Sequence, residues 1–167
     1  TALGGLTDGV TNLDLTTAFA TIANNGTYLS PQFFTRIEDH NGKVLLQAAP
    51  VNRRALKDST AFLLTDAMSA SMQSNRKFAR PGISVNSTST RAALSNMSCS
   101  GKSGTTTSNN DIWFVGFTPY YTAGVWGGCD NNQKLESTSF HKDIWRKIME
   151  RVHEGLPDPG FPVPASI

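Results

Sequence analysis

Cysteine, histidine and uninterrupted apolar sequence are all scarce in this chain of 167 residues. The two cysteines, Cys99 and Cys129, do not have the spacing of metal ligands, and His40, His141 and His153 do not converge with them in any ligand pattern. No metal site and no cofactor are expected. No stretch approaches the run of about eighteen apolar residues that a membrane-spanning helix needs. The opening residues TALGGLTDGV also lack the charged-then-apolar layout of a secretory leader. Any anchor or export signal is therefore expected outside this sequence. Charge of one sign is lacking too: 15 Lys plus Arg stand against 13 Asp plus Glu, a formal net charge of +2. Without a basic run, no nucleic-acid partner is expected. The length suits one domain with a real core, and no internal repeat is visible.

What is present reads as α+β. Asn12 can cap a helix in which Leu15, Ala18, Phe19, Ile22 and Ala23 recur at helical steps, with Asn25-Gly26 ending it. Phe33 to Glu38 and Lys43 to Leu46 flank Asp39 to Gly42, where Asn41-Gly42 can supply the positive φ angles of a tight β-hairpin. Asp58 or Ser59 can cap a second helix with the stripe Phe62, Leu63, Leu64, Ala67, Met68 and Met72. Residues 74–98 turn to Ser, Thr, Asn and Arg, which suits irregular and partly mobile chain. Three strands follow, Cys99 to Thr106, Asp111 to Thr118 and Tyr121 to Gly128. Short connections favour antiparallel pairing, and the run Ile112-Trp113-Phe114-Val115-Gly116-Phe117 suits a strand covered on both faces. A last helix carries Phe140, Ile144, Ile148 and Val152 every four residues, widened by Trp145 and Met149, and Gly155 and Pro157 stop it. The proline-rich 156–167 reads as an extended, linker-like tail.

The residues with most chemical content are Gly101-Lys102-Ser103-Gly104-Thr105-Thr106. On an edge strand, a fixed cation, short hydroxyls and a glycine suit a carboxylate-bearing substrate lying alongside. Lys102 supplies field, Ser103 and Thr105 hydrogen bonds, and Gly104 room for close backbone approach. A phosphate loop would need glycine where Asn96 stands, an apolar strand before and a helix after. The remaining alternative is a polar strand end with a solvated lysine.

Three blocks resemble class A penicillin-binding proteins. Ala2-Leu3-Gly4-Gly5 with Gly9 to Gly26 resembles the segment after that family's middle motif. Gly101 to Thr106 with Asp111 to Pro119 resembles its Lys-Thr-Gly strand and the neighbouring strand. Gly124 to Gly128 and Ile144 to Met149 resemble its last strand and C-terminal helix. Two departures stand out: Ser103 replaces the family's threonine, keeping the hydroxyl, and residues 74–96 have lost a usual Gly-Thr-Gly run.

The resemblance implies a partial penicillin-binding, serine β-lactamase-like transpeptidase fold, with residues 1–155 as the C-terminal part of the domain. It implies a serine D,D-transpeptidase that cross-links peptidoglycan stem peptides and is acylated by β-lactams. Lys102 and Thr105 would be catalytic, the Thr105 N–H being one oxyanion donor, and Ser103, Gly104, Thr105 and Thr106 would bind substrate. The family's nucleophile motif is Ser-x-x-Lys, joined by Ser-x-Asn. Ser74-Asn75-Arg76-Lys77, Ser84-Val85-Asn86 and Ser139-Phe140-His141-Lys142 match these patterns, but the first two lie in polar, irregular sequence and the third follows the Lys-Ser-Gly strand. The genuine nucleophile is expected upstream of Thr1, so the chain is expected to be inactive alone. Its partners would be the upstream part of the domain, the stem peptide and β-lactams. Its place would be the extracytoplasmic face of the bacterial membrane. A peptide-binding module using the same strand without chemistry, and a purely structural domain, are the other readings. If the three strands form an antiparallel meander, Cys99 and Cys129 lie two strand spacings apart and at opposite ends of the sheet, too far for the roughly 7 Å Cα separation of a disulfide, so both thiols are expected to be free.

Overall fold

The computed structural model describes residues 9–73 and 87–167. The Ser-x-x-Lys match at 74–77 and the Ser-x-Asn match at 84–86 lie outside the described residues. Helix α1 (Asn12–Ala23) is capped by Thr11, not Asn12: the Thr11 hydroxyl accepts the Asp14 N–H at 3.1 Å. Asn12 is drawn elsewhere, its amide donating to the Gly124 carbonyl at 3.2 Å. Strand β1 (Thr27–Leu29) pairs antiparallel with β4 (Asn52–Arg54), between which β2 (Arg36–Glu38) and β3 (Val44–Gln47) form the expected hairpin. At the hairpin tip only Gly42 takes a positive φ, +81°. Asn41 does not, because the Asp39 carboxylate accepts the N–H groups of Asn41 and Lys43 and shapes the turn from its own side. The β1–β4 pair was not legible in Asn52-Arg53-Arg54, which has no strand alternation. It is held by its partner, with the Arg53 guanidinium 4.9 Å from the centre of the Tyr28 ring.

Helix α2 (Asp58–Ala70) begins after Lys57, and no side chain caps it. Its buried residues are Ala61 and Thr65, while Leu63, Leu64 and Ala67 of the expected stripe are exposed. In the described part of 74–98, the chain is irregular but packed. A 3-10 turn at Thr90–Ala92 buries Ala92, and Met97 and Cys99 are buried too.

The centre is a sheet ordered β5-β6-β7, made of β5 (Ser100–Thr105), β6 (Asp111–Phe117) and β7 (Thr122–Gly128), all antiparallel. β6 is the central strand, and Ile112, Phe114, Val115 and Phe117 are buried, so both of its faces are covered. On one face, α3 (Phe140–Val152) sets Trp145 edge-on to Phe114, with ring centroids 5.1 Å apart. The other face meets α1 at Gly124 and α2 through Ser100, whose hydroxyl donates to the Thr65 carbonyl. α3 is rotated from expectation by one residue. His141, Trp145 and Met149 face the core, whereas Phe140, Ile144, Ile148 and Val152 stay 38, 42, 49 and 47 % exposed. The two rows lie side by side on one broad apolar face, and apart from Phe140, which packs over Gly127, the sheet covers only one of them.

Gly155 ends α3 at φ +78°. Residues 156–167 form no helix or strand, yet they are not a free linker. Phe161 packs edge-on to Phe117, and Asp158 accepts the Ser98 N–H and hydroxyl. Both cysteines are free thiols. The register pairs Ser100 with Phe117 and Gly128 with Asp111, which sets Cys99 and Cys129 at opposite ends of the sheet.

Gly101 tests this packing. A Cβ there would lie 2.7 Å from the tip of Phe114 and 3.0 Å from the Gly116 Cα. Gly101→Ala in the intact protein should therefore cost about 1–3 kcal/mol by overpacking, read as a lower urea midpoint. An unchanged midpoint would mean that β5 does not sit on Phe114 in this way.

Candidate functional site on the open edge of β5

β5 is an edge strand, and Lys102, Ser103 and Thr105 lie along it, Lys102 on the sheet face of Val115 and Ser103 and Thr105 on the face of Phe114. The Thr106 N–H donates to the Asp111 carbonyl at 3.1 Å. Antiparallel partners exchange such bonds at every second residue. Gly104 and Lys102 therefore turn their backbone groups toward β6, and Gly101, Ser103 and Thr105 turn theirs outward. Two outward carbonyls are met in place: that of Gly101 by the Ser71 hydroxyl at 2.9 Å, and that of Ser103 by the Lys102 ammonium at 2.7 Å. The outward N–H groups of Ser103 and Thr105 have no partner among the described residues. The site residues thus share one edge, but Thr106 stands apart. Its hydroxyl accepts the Asn110 and Asp111 N–H groups and holds the turn into β6. Gly104 leaves the strand flat, a Cβ there lying 3.4 Å from the Trp113 Cβ.

The first turn of α3 lies beneath this strand pair. Phe140 fills the space over Gly127, and His141 is fully buried near the Trp113 backbone, opposite Gly104. Neither His141 ring nitrogen has a hydrogen-bond partner among the described residues. Burial, followed by the charge of Lys142, lowers its pKa to about 4. Asp143 pulls the other way, as does the Trp113 carbonyl, which lies near the ring without hydrogen-bond geometry. Lys142 donates to the Thr88 carbonyl at 2.8 Å. Burial and then Lys102 and Arg91 push its amine below the usual lysine range. The Arg91 guanidinium grips Asp143 in two bonds of 2.7 and 2.9 Å and holds that carboxyl below its ordinary range. In the sequence Lys142 stands out only as the end of a Ser-x-x-Lys match, whose Ser139 makes no capping bond. Ser71 gave no signal in the sequence. A separate hollow of about 330 Å³ lies at the far end of β5 and the end of α3, lined by Met97, Glu150, His153 and Leu156 among others, away from Lys102.

Residues 1–150 match the family described as the penicillin binding protein transpeptidase domain. The chain belongs to that family. It is similar to penicillin-binding protein 1A of Clostridium botulinum (strain Langeland), with 32% identity over 168 residues, 99% of this chain and 19% of that protein. It therefore spans about a fifth of the length of such curated relatives. The fold matches the crystal structure of penicillin-binding protein 1A from Haemophilus influenzae at a TM-score of 0.77 and 21% identity, covering 93% of this chain and 28% of that one. It also matches penicillin-binding protein A from M. tuberculosis, solved as an imipenem acyl-enzyme complex, at a TM-score of 0.64 and 19% identity, covering 87% and 32%. The antiparallel sheet with helices on its faces is thus the transpeptidase fold in part. Among the described residues no helix is long and apolar enough to cross a membrane.

His141 gives the transpeptidase sheet a measurable pH dependence. Folded, the ring stays neutral down to about pH 4, whereas an unfolded imidazole titrates near 6.5. Between these values the unfolded chain binds the extra proton, so this stability is complete above pH 6.5 and drains away toward pH 4. The loss amounts to about 3 kcal/mol. Urea midpoints of the intact protein should fall over this window, and His141→Met should flatten the fall by one proton. An identical slope in the variant would contradict a buried, uncharged His141.

Proposed function

We propose that this chain supplies the substrate-holding wall of a serine D,D-transpeptidase that cross-links peptidoglycan stem peptides and is acylated by β-lactams. The observation that carries this reading is the open edge of β5, where outward N–H groups at Ser103 and Thr105 stand beside Lys102 in a member of the transpeptidase family. A serine from the rest of the protein attacks the D-Ala-D-Ala carbonyl, the terminal D-Ala leaves, and the acyl group passes to an amine of a second stem peptide. Lys102 stabilises charge around the reacting groups. The Thr105 N–H is one oxyanion donor, paired with the serine's own N–H. Ser103 and Thr105 hold the substrate carboxylate, Gly104 lets the ligand backbone approach, and Thr106 keeps the strand end in place.

Residues 1–155 act as the C-terminal part of the domain. The uncovered rows of α2 (Leu63, Leu64) and α3 (Ile144, Ile148) receive its other part. The whole enzyme works on the outer face of the bacterial membrane, anchored through a segment other than these helices. The M. tuberculosis relative carrying imipenem as an acyl-enzyme supports the β-lactam reading.

Lys102→Ala in the full-length protein should slow acylation by a fluorescent penicillin by orders of magnitude, a preorganised charge or oxyanion contact being commonly worth roughly 3–4 kcal/mol. Ser103→Thr should acylate at nearly the parental rate, because the hydroxyl is kept. Parental acylation by Lys102→Ala would sink the site assignment.

A further inference from the structure

Residues 157–167 lie beyond the stretch 1–150 that matches the transpeptidase family, yet they join elements that are far apart in the sequence. The Pro157 carbonyl accepts the Tyr120 hydroxyl at 2.8 Å, at the turn between β6 and β7. One oxygen of the Asp158 carboxylate accepts the Ser98 N–H at 2.9 Å and the Ser98 hydroxyl at 2.8 Å, and the other accepts the Gly160 N–H at 3.0 Å. Phe161 then packs edge-on to Phe117, with ring centroids 5.6 Å apart. Further on, the Ser166 hydroxyl donates to the Asp58 carboxylate at 3.1 Å, on the first residue of α2. The segment runs as a strap from the end of α3, past the end of the sheet, to the start of α2.

Its sequence suits a docked strap. Pro157, Pro159, Pro162 and Pro164 hold the chain extended and bring no N–H groups to satisfy, so little freedom is lost on docking. Gly160 turns it at φ +66°, where a side chain would be strained, and its N–H keeps the Asp158 carboxylate aimed at Ser98. What the strap holds is the root of β5. An edge strand has a sheet partner on one side only, and the root of this one is fixed further by groups from outside the sheet. The Thr65 carbonyl accepts the Ser100 hydroxyl, the Ser71 hydroxyl takes the Gly101 carbonyl, and Asp158 takes Ser98. Thr65 and Ser71 both belong to α2 or its end, and α2 is the helix that Ser166 reaches. Ser98 lies four residues before Lys102, and Cys99, Ser100 and Gly101 between them are buried. Close packing leaves that backbone no room to absorb a shift at Ser98, so the shift passes on to Lys102.

We propose that residues 157–167 are a strap that fixes the root of β5 against α2, and that Asp158 is a positioning residue for acylation, acting through Ser98 on where Lys102 stands. This rests on the reading of β5 as the substrate strand. The test uses the full-length protein and a fluorescent penicillin, at a temperature well below the unfolding of each variant. Asp158→Ala should slow acylation roughly ten-fold, less than the hundred-fold that a misplacement of about 1 Å can cost. Asp158→Asn and Ser98→Ala should slow it less. Ser98→Thr keeps both donors and should acylate at nearly the parental rate, as should Val163→Ala, whose side chain is exposed on the same segment. The double variant separates positioning from a general loosening of the fold. If Asp158 acts through β5, Asp158→Ala adds little to the slowing already caused by Lys102→Ala, whereas loosening slows both backgrounds alike. Thermal unfolding identifies any variant that has lost its fold, and Asp158→Asn then takes the place of Asp158→Ala. Parental acylation by a folded Asp158 variant, or equal slowing in the Lys102→Ala background, overturns the strap's role and leaves the β5 site standing. Parental acylation by Lys102→Ala removes the site and this inference together.

Discussion

Burial of β6 on both faces is the constraint from which the other positions follow. Phe114 and Val115 point to opposite sides and are both covered, so helices have to lie above and below the sheet. Trp145 answers on one side, and α1 and α2 answer on the other. Glycines set how closely these layers approach: a Cβ on Gly116 would lie 2.8 Å from the Trp145 ring. With β6 fixed between two partners, β7 is drawn against α1, and β5 is left with one side hydrogen-bonded and one side open. The candidate site is that open side. It needs no loop to form it, so its backbone donors are as rigid as the sheet itself.

Much of this was legible in the chain. The apolar run from Ile112 to Phe117 marked the central strand, and the short turns on either side marked its antiparallel neighbours. Gly42 and Gly155 marked the hairpin and the end of α3 by their need for positive φ. The Lys-Ser-Gly strand stood out through the residues around it. What stayed hidden depends on contacts between distant segments. The row of α3 that faces the sheet could not be read, since Phe140, Ile144 and Ile148 are as apolar as Trp145 and Met149 and only the sheet's shape selects between them. The cap of α1 shifted because Asn12 is engaged by Gly124, more than a hundred residues away. Ser71 and Lys142 are ordinary polar residues until the fold sets one against Gly101 and the other against Thr88.

The same packing leaves apolar rows uncovered on α2 and α3, the rows proposed to receive the rest of the domain. The proposed reading gives this edge the task of holding a substrate and leaves the attack to a serine elsewhere in the protein. Ser139 illustrates the difference. Its motif partner Lys142 is turned to the Thr88 carbonyl instead.

The division of labour between this strand and a serine elsewhere is tested most directly by locating the acyl group. The isolated chain, and the chain co-folded with the remainder of the transpeptidase domain, are incubated with a fluorescent penicillin and mapped by peptide mass. Expected is no label within these 167 residues in either sample, and label on the remainder only when this chain is present. Specific label on Ser139 or on Ser74 would contradict the account and make one of those serines the nucleophile.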